Sequence, residues 1–286
     1  MGQRMAYTTL IDTETLASHL DDPDWVIVDC RFTLSDTEAG RRAYAAGHLP
    51  GARYAHLDED LSGPRTGRNG RHPLPDPAEF ARTLGRWGID GNKQVVVYDD
   101  SFGSMAVRLW WLMRWMGHDG VALLDGGLPK WQREKRPLTP QPPRITPTVF
   151  VPHLRDELRV DAETVLEASR SGSRLILDAR PEMRFTGEME PIDPVAGHVP
   201  GAINVPFDDN LDVSGTFLPP EALRAHYEAL LAGRRPEEVI VMCGSGVTAC
   251  HDLLAMEVAG LTGAKLYPGS WSEWITDPRR PVARGE

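Results

Sequence analysis

Short apolar runs rich in Val and Ile alternate along this chain with stretches in which apolar positions recur every three or four residues. The runs are 26–28, 95–97, 121–124, 175–177 and 239–241. Strands buried on both faces of a parallel sheet have this pattern. The stretches 77–87, 104–116, 162–169, 220–231 and 247–258 predict helices. Strands followed by helices throughout the chain predict an α/β protein with parallel sheets.

The pattern occurs twice, with a period of about 145 residues. Four segments have a counterpart, in the same order: WVIVDCR and RLILDAR ending at Arg31 and Arg180, GHLPGA and GHVPGA from Gly47 and Gly197, QVVVYDD and EVIVMCG from Gln94 and Glu238, and LLDGGLPKW and LYPGSWSEW closing at Trp131 and Trp274. Solenoid repeats are only about 20–50 residues long. The chain is therefore predicted to contain two copies of one domain.

A proline-rich stretch separates the two copies. Six prolines lie between residues 136 and 152, a density that excludes continued helix and central strand. We therefore predict domains at 1–140 and 156–286, joined by a linker at 141–155.

The composition of the chain argues against several classes of function. The 286 residues carry a net charge of −10 and no cluster of basic residues, which argues against a nucleic-acid surface. No segment approaches the roughly 20 apolar residues that cross a bilayer, and the N-terminal residues lack the pattern of a secretory signal. We expect a cytoplasmic protein without membrane or nucleic-acid partners.

Three cysteines are present, Cys30, Cys243 and Cys250. An odd number without a CxxC pair or a zinc-type spacing predicts neither a disulfide framework nor a structural metal. Cys30 ends a predicted strand and Cys250 lies about two turns into a predicted helix, so both are interpreted as core residues.

Cys243 is interpreted differently because of the sequence around it, VIVMCGSGVTACHDLLAM. It follows a buried strand directly and precedes a helix, with Gly244 and Gly246 in the turn between them. Backbone N–H groups at such a turn bind anions, aided by the positive end of the helix dipole. A thiolate is stabilised there, which predicts a nucleophile at neutral pH.

With these residues the chain resembles the tandem rhodanese-like sulfurtransferases, and the loop CGSGVTA from Cys243 is similar to that of 3-mercaptopyruvate sulfurtransferases in particular. The segments DAR, GHVPGA, GSWSEW, GRHPLPD and LLDGGLPKW add to the match, which covers nearly the whole chain. The resemblance implies two rhodanese-like domains, each a small parallel sheet flanked by helices. It also implies a catalytic second domain and an inactive first one, with Asp99 at the cysteine position.

The resemblance further implies a reaction that needs no metal or organic cofactor. Cys243 would take sulfur from 3-mercaptopyruvate or thiosulfate as a persulfide and pass it to cyanide, a thiol or a thioredoxin-like reductant. Ser245, His72 and Asp58 would form a proton-transfer set. Arg184 would hold the anionic group of the donor, and the backbone N–H groups of the loop would stabilise the persulfide: Gly244, Gly246, Val247 and Thr248, with Ser245.

The chain departs from the family pattern at one place. A second arginine is expected shortly before the GHxPG motif, where Pro191, Ile192, Asp193 and Pro194 stand instead. Preference for mercaptopyruvate over thiosulfate is therefore left open.

Some other notable residues are interpreted as structural. His48 and His198 precede the Pro-Gly turn in both halves, including the inactive one, which indicates a structural role. Trp110, Trp111 and Trp115 have the spacing of a core or interface cluster.

Three other functions are compatible with some of these features. A cysteine phosphatase also places its nucleophile on an anion-binding loop, but it needs an arginine where this chain has Ala249. A non-catalytic rhodanese-like binding module is compatible with the fold but not favoured by the intact loop. A papain-like protease lacks a visible partner histidine and oxyanion arrangement around Cys243.

Overall fold

The structure, a computed structural model, describes residues 6–285. Its strands are β1 (Leu10–Ile11), β2 (Trp25–Asp29), β3 (Arg53–Tyr54), β4 (Gln94–Tyr98), β5 (Val121–Leu124), β6 (Leu175–Asp178), β7 (Ala202–Asn204), β8 (Val239–Met242) and β9 (Lys265–Leu266). Its α-helices are α1 (Thr13–Ala17), α2 (Ala39–Ala46), α3 (Pro77–Arg86), α4 (Ala106–Trp115), α5 (Gly127–Arg133), α6 (Ala162–Ser171), α7 (Glu182–Thr186), α8 (Pro220–Leu231), α9 (Ala249–Val258) and α10 (Ser270–Trp274). Within the described residues no helix has the length and apolar character needed to cross a membrane.

The chain forms two compact units that are not contiguous in sequence. The first comprises the chain up to Gly63, Pro75–Arg155 and the short segment Val213–Thr216. The second comprises Pro64–Leu74, Asp156–Asp212 and the chain from Phe217 onward. A segment of the first half of the sequence is therefore part of the second unit, whereas the sequence-based domains at 1–140 and 156–286 were drawn as continuous stretches.

Each unit contains one parallel sheet, and four strands have the same order in both sheets, while β1 is an additional strand of the first. The strand order is β1-β5-β4-β2-β3 in the first unit and β7-β6-β8-β9 in the second, and every pairing is parallel. Thus β6, β7, β8 and β9 repeat β2, β3, β4 and β5. The two central strands of each sheet were among the predicted apolar runs, and the predicted fold of two α/β copies is confirmed.

Local sequence signals explain where the helices begin and end. Asp76 accepts hydrogen bonds from the N–H groups of Ala78 and Glu79 at the start of α3, where Pro77 is the first helical residue. Gly172, in the left-handed conformation, ends α6. The five predicted helices are all present with shifts of at most two residues, which is the usual uncertainty of helix ends.

The same buried ion pair fixes the carboxyl end of one central strand in both units. Arg31 binds Asp29 and the carbonyl of Gly47, and Arg180 binds Asp178 and the carbonyl of Gly197. The DxR motif therefore ties the strand end to the GHxPG turn. His48 and His198 in those turns are buried and contact main-chain carbonyls, as expected for structural residues.

The apolar cores lie on the faces of the two sheets. All residues of β5, β6 and β8 are buried, and helix α4 buries Trp110, Trp111 and Trp115 within the first unit. Residues 140–152 of the proline-rich stretch form no helix or strand, as predicted from the prolines.

Candidate active site

Cys243 lies at the carboxyl end of β8, a central strand of the second sheet, and is only 2% exposed. Residues 243–248 form the loop between β8 and α9. In an open parallel sheet the carboxyl ends of the central strands are where ligands bind, because the loops leave there in different directions. The fold thus places the sulfur of Cys243 at this edge of the sheet, as the sequence predicted.

The backbone of this loop is held from one side by the start of α10. Trp271 N donates to the Cys243 carbonyl (3.0 Å) and Ser272 N to the Gly244 carbonyl (2.9 Å). Gly246 has φ of +74° and its Cα approaches Pro268 so closely that a Cβ would lie 2.3 Å from the Pro268 carbonyl oxygen. Only glycine fits at this position without moving the loop.

Ser270 contacts the backbone of Cys243 through its side chain. The Ser270 hydroxyl accepts the Cys243 N–H at 3.1 Å and donates to the Tyr267 carbonyl at 2.8 Å. Ser270 adopts φ of +53°, and the first unit has Gly127 with the same φ at the corresponding position. A side chain in the left-handed region costs free energy, so the Ser270 hydroxyl is present despite a local backbone strain that the first unit avoids with its glycine.

Ser245 and His72 meet beside the loop. Ser245 Oγ lies 2.7 Å from His72 Nδ1, within hydrogen-bond distance, and both side chains are buried. His72 reaches this place because the segment Pro64–Leu74 belongs to the second unit. Two of the three residues predicted for proton transfer are therefore in contact.

Arg184, on α7, faces the same loop. A Cβ built on Gly244 would lie 3.3 Å from Arg184 Nη1 and 3.5 Å from Nη2. Arg184 is also bound by Glu190 through Nε and by Asp193 through Nη2 at 3.0 Å. Burial opposes the charge of Glu190, but hydrogen bonds from Arg184 and from two backbone N–H groups lower its pKa, which keeps this carboxylate ionised next to Arg184.

Arg180 adds a buried positive charge below the loop. Burial disfavours its charged form, yet Asp178, Glu190 and Cys243 together raise the pKa of its guanidinium. The guanidinium stacks 4.8 Å from the ring centroid of Trp271. The sulfur of Cys243 thus lies in the field of a permanently charged arginine.

The first unit carries a carboxylate at the position of this cysteine. Asp99 Oδ1 accepts hydrogen bonds from the N–H groups of Ser101 and Gly103, and Oδ2 accepts from those of Met105 and Ala106, all at 2.8–2.9 Å. Four backbone N–H groups of one loop therefore converge on a single anionic side chain. The loop after the fourth strand is an anion-binding structure in the first unit, and its binding site is filled by the chain's own carboxylate.

Comparison with known proteins agrees with this geometry. The family profile of the rhodanese-like domain matches residues 12–134 and 161–277. The chain belongs to the tandem rhodanese-like sulfurtransferases. A Pseudomonas aeruginosa protein named "Probable 3-mercaptopyruvate sulfurtransferase" is 50% identical over 284 residues, covering 99% of this chain and 100% of that protein. The thiosulfate sulfurtransferase of Rattus norvegicus is 34% identical, covering 100% and 99%. The crystal structure of the Escherichia coli 3-mercaptopyruvate sulfurtransferase SseA superposes with a TM-score of 0.80 at 34% identity, covering 93% and 100%.

The relatives confirm the predicted fold and establish that this chain is a sulfur-transferring enzyme. A cysteine phosphatase was an alternative function that also uses a cysteine nucleophile on an anion-binding loop. Ala249 is the first residue of α9 and buried, so the position that a phosphatase fills with its arginine carries no charge. The names of the relatives and the absence of this arginine both argue against a phosphatase.

The other cysteines of the sulfurtransferase have surroundings typical of core residues. Burial and three nearby carboxylates raise the pKa of the Cys30 thiol well above its ordinary value, which keeps that thiol protonated. Cys250 is buried within α9 and its thiol lies 3.4 Å from the Gly246 carbonyl.

Asp58, the third residue predicted for proton transfer, belongs to the first unit. It is half-buried after β3, and its backbone N–H donates to His56 Nδ1 at 3.2 Å. Its part in catalysis stays a prediction.

One group of side chains in the first unit has ligand types that metals accept. Glu38, His56 and Glu59 have ligand atoms within 4.8 Å of one another. Both nitrogens of His56 are already engaged, Nε2 with the Thr37 carbonyl and Nδ1 with two backbone N–H groups, and Arg41 bridges the two exposed glutamates. We therefore assign no metal to this group.

Sequence reasoning missed two residues that contact this site, Ser270 and Arg71. A Cβ on Gly244 would lie 3.2 Å from Arg71 Nη2, although the sequence analysis gave Arg71 no role. The repeat offered a signal for Ser270, because a serine there aligns with Gly127. Arg71 lies in the GRHPLPD segment that supports the family resemblance, but nothing in that segment indicated its contact with the loop, because its place depends on how residues 64–74 pack.

Proposed function

We propose that this sulfurtransferase carries sulfur as a persulfide on Cys243, taking it from 3-mercaptopyruvate or thiosulfate and giving it to cyanide or a thiol. The observation that carries the proposal is the anion-binding loop. In the first unit four N–H groups hold the Asp99 carboxylate, and the corresponding loop of the second unit begins with Cys243. A persulfide anion on Cys243 would take the place that the carboxylate takes in the first unit.

The chemistry balances with either donor. The thiolate of Cys243 attacks the sulfur of 3-mercaptopyruvate, the donor's carbon–sulfur bond breaks, and its electron pair leaves as the enolate of pyruvate, which takes up a proton. With thiosulfate the sulfur–sulfur bond breaks and sulfite leaves. Attack of cyanide or a thiolate on the outer sulfur then restores Cys243, so that one difficult transfer is divided into two easier ones.

The contact of Ser245 with His72 supports a proton-transfer role for both. Pyruvate needs a proton when it leaves as an enolate, and a hydroxyl 2.7 Å from an imidazole nitrogen is a suitable donor pair. We propose that Asp58 completes this set. Sulfite needs no such proton, so the pair would matter for mercaptopyruvate and much less for thiosulfate.

Arg184 would bind the anionic part of the donor, because its guanidinium faces Gly244 directly beside the reacting cysteine. The loop residues Ser245, Gly246, Val247 and Thr248, with Gly244, would stabilise the persulfide through their backbone N–H groups. A thioredoxin-like reductant is the proposed physiological acceptor. The cytoplasm is the proposed compartment, since the carrier thiol and two further free cysteines suit a reducing environment.

The test compares sulfur transfer to cyanide from the two donors. Wild type is measured beside Cys243→Ser, with Cys30→Ala as the matched control that removes a buried thiol from the other unit. We expect Cys243→Ser to lose at least about a thousandfold in kcat/KM with both donors and Cys30→Ala to retain turnover. Mass spectrometry after exposure to donor alone should find one added sulfur atom on the peptide that contains Cys243.

Each outcome decides a part of the proposal. Turnover that survives in Cys243→Ser, or added sulfur on Cys30 or Cys250 instead, would refute the carrier role. A protein with no persulfide from either donor would be a binding module of the same fold. The ratio of the two kcat/KM values identifies the preferred donor, which is thiosulfate if the absent second arginine decides binding.

A further inference from the structure

We propose that three exposed apolar side chains beside the cysteine loop, Met183, Met189 and Ile192, form a docking surface for a protein that accepts sulfur from Cys243. The reactive thiol of this partner lies in an apolar face without acidic side chains. The inference rests on the proposed function, because it concerns the acceptor of that same site. We call these three side chains the apolar lip.

The apolar lip concentrates the exposed apolar surface of the second unit. Met183 is 48% exposed, Met189 50% and Ile192 42%. Among the described residues of this unit, the other exposed large apolar side chains are Ile203 and Val282. Exposed apolar side chains that lie together mark binding surfaces, whereas scattered ones are ordinary. Methionine in addition adapts its shape to different partners.

The loop that carries the apolar lip directs its charged groups away from water. The side chains of Glu190 and Asp193 are each 3% exposed, and that of Arg184 is 13% exposed. Arg184 donates hydrogen bonds to both carboxylates. Surface loops usually have the opposite arrangement, with charged groups in water and apolar ones covered. Here the charged positions serve the site, and the apolar positions of the same loop remain uncovered.

Hydrogen bonds fix the backbone of the apolar lip. Met189 N donates to the Met183 carbonyl at 3.0 Å, so the two methionines start from adjacent points of the backbone. Glu190 Oε1 accepts the N–H groups of Ile192 and Asp193, each at 3.0 Å. A surface that is already ordered loses little conformational entropy when a partner binds to it. The lip is therefore preorganised for docking.

The apolar lip borders the loop of the reacting cysteine. Met183 directly precedes Arg184, and a Cβ built on Gly244 would lie 3.3 Å from Arg184 Nη1. Gly244 in turn follows Cys243, which is only 2% exposed. A protein thiol must be held close to such a buried sulfur in order to attack it. A partner that covers the lip brings its surface to this place.

The chemistry of the apolar lip does not match the small substrates. Mercaptopyruvate, thiosulfate and cyanide are small anions with little apolar surface to bury, and burial of apolar surface is what methionine and isoleucine contribute to binding. Among the participants in the proposed reaction, a protein acceptor is the one that offers such a surface. Glu182 and Glu188 in the same loop are exposed. Because like charges repel across an interface, the partner's face carries no acidic side chains.

Acceptor kinetics with two dithiols test the apolar lip. Reduced thioredoxin presents its dithiol in an apolar protein face, whereas dithiothreitol has the same chemistry without a protein surface. With either one, a thiolate takes the outer sulfur from Cys243, and the second thiol then releases it as hydrogen sulfide and forms a disulfide. In the triple variant Met183→Ser, Met189→Ser, Ile192→Ser we expect kcat/KM for thioredoxin to fall by about 10- to 50-fold and that for dithiothreitol to change by less than about twofold.

Two control variants accompany the triple variant. Ile203→Ser removes an exposed apolar side chain of the same unit outside the loop and should resemble wild type with both acceptors. The double variant Met183→Leu, Met189→Leu keeps the apolar surface and should keep most of the thioredoxin activity. An unchanged rate with thioredoxin in the triple variant, or an equal loss with both acceptors, overturns the docking role.

A thiol-exchange measurement separates this inference from the carrier role, because it needs no sulfur donor. The Cys243 thiolate attacks a thioredoxin whose reactive cysteine carries thionitrobenzoate as a mixed disulfide, and coloured thionitrobenzoate leaves. The small disulfide dithiobis(nitrobenzoate) is the control without a protein surface. A rate that falls in the triple variant only with the thioredoxin adduct supports the lip even if no persulfide forms, in which case only the proposed function fails.

Two further outcomes count against the apolar lip. No reaction of wild type with the thioredoxin adduct, or equal rates in wild type and the triple variant, overturns the docking role whatever the sulfur-transfer activity. Light scattering tests the other occupant, a second copy of this chain. If the triple substitution converts a wild-type oligomer into a monomer, the lip is an interface between copies and not a surface for an acceptor.

Discussion

Asp99 and Cys243 occupy the same position in two copies of one loop, and in the proposed mechanism the difference between them separates a structural anion from a reactive one. The Asp99 carboxylate satisfies four N–H groups of its own loop permanently. A cysteine there leaves the loop able to hold a charge that appears and disappears during a reaction cycle. Under the proposed function, this one side chain decides whether the same backbone stabilises the fold or a persulfide.

Ser270 is a second residue at which the two copies differ, and it leads to a prediction. Ser270→Gly removes the hydroxyl that accepts the Cys243 N–H but relieves φ of +53°. The lost hydrogen bond costs about 1 kcal/mol and the relieved strain returns about 1 kcal/mol. We expect Ser270→Gly to unfold in urea like wild type and Ser270→Ala to be about 1 kcal/mol less stable. Both should lower kcat/KM, because Cys243 loses a positioning contact.

The two variants check each other. A Ser270→Gly protein with wild-type kcat/KM would mean that the hydroxyl does not position Cys243. Equal stability of the glycine and alanine variants would mean that the left-handed backbone is not strained.

In the loop between β8 and α9 the backbone, more than the side chains, forms the candidate site. It is fixed on one side by the start of α10 and on the other by the contact of Ser245 with His72. Residues from two distant parts of the sequence therefore define the shape of six consecutive residues.

A pair of glycine substitutions tests how strictly that shape is required. Gly246 and Gly172 both have positive φ, but a Cβ on Gly246 would lie 2.3 Å from the Pro268 carbonyl oxygen, whereas nothing lies within 4 Å of one on Gly172. We expect Gly172→Ala to cost about 1 kcal/mol of stability with unchanged turnover. Gly246→Ala should cost about 2–4 kcal/mol and abolish persulfide formation.

Urea unfolding and the sulfur content of Cys243 measure the two effects separately. If Gly246→Ala formed the persulfide at the wild-type rate, the loop would tolerate displacement and its N–H groups would not need their observed arrangement.

At the scale of the whole molecule, the chain contains two units whose sheets share an order of four strands but whose cysteine-loop positions differ. The first unit retains the strand order, the DxR ion pair and the anion-binding loop, but it has no thiol at the end of β4. Six of the eight tryptophans lie in the sequence of this unit, and the other two, Trp271 and Trp274, lie in the second, so fluorescence reports mainly on the first.

Asp99→Asn should therefore affect stability rather than chemistry. An amide cannot accept at both of its terminal atoms, so N–H groups bound by one carboxylate oxygen would lose their acceptor. We expect a loss of roughly 2–4 kcal/mol in urea unfolding followed by tryptophan fluorescence, with full sulfur loading of Cys243 below the transition. Asp21→Asn, which changes an exposed acid of the same unit, is the control. Unchanged stability of Asp99→Asn would contradict the assigned role of the four hydrogen bonds.

The amino-acid sequence determined the features that depend on neighbours along the chain. Buried strands are recognisable in the sequence as apolar runs. The ends of α3 and α6 depend on the local residues Asp76, Pro77 and Gly172. The position of Cys243 between a strand and a helix also follows from local pattern, as does the duplication. Very short strands such as β1, β3 and β9 escaped detection, because two residues form no recognisable period.

Only the tertiary structure decided which distant residues surround the sulfur. His72, Arg71 and Ser270 reach the loop through the packing of residues 64–74 and of α10 against it, and no local pattern encodes that packing. The arginine that was expected before the GHxPG motif, and is absent there, shows why local sequence is not enough. What matters for binding an anion is where a guanidinium lies in space, and Asp193 can recruit one from a segment more than a hundred residues earlier in the chain.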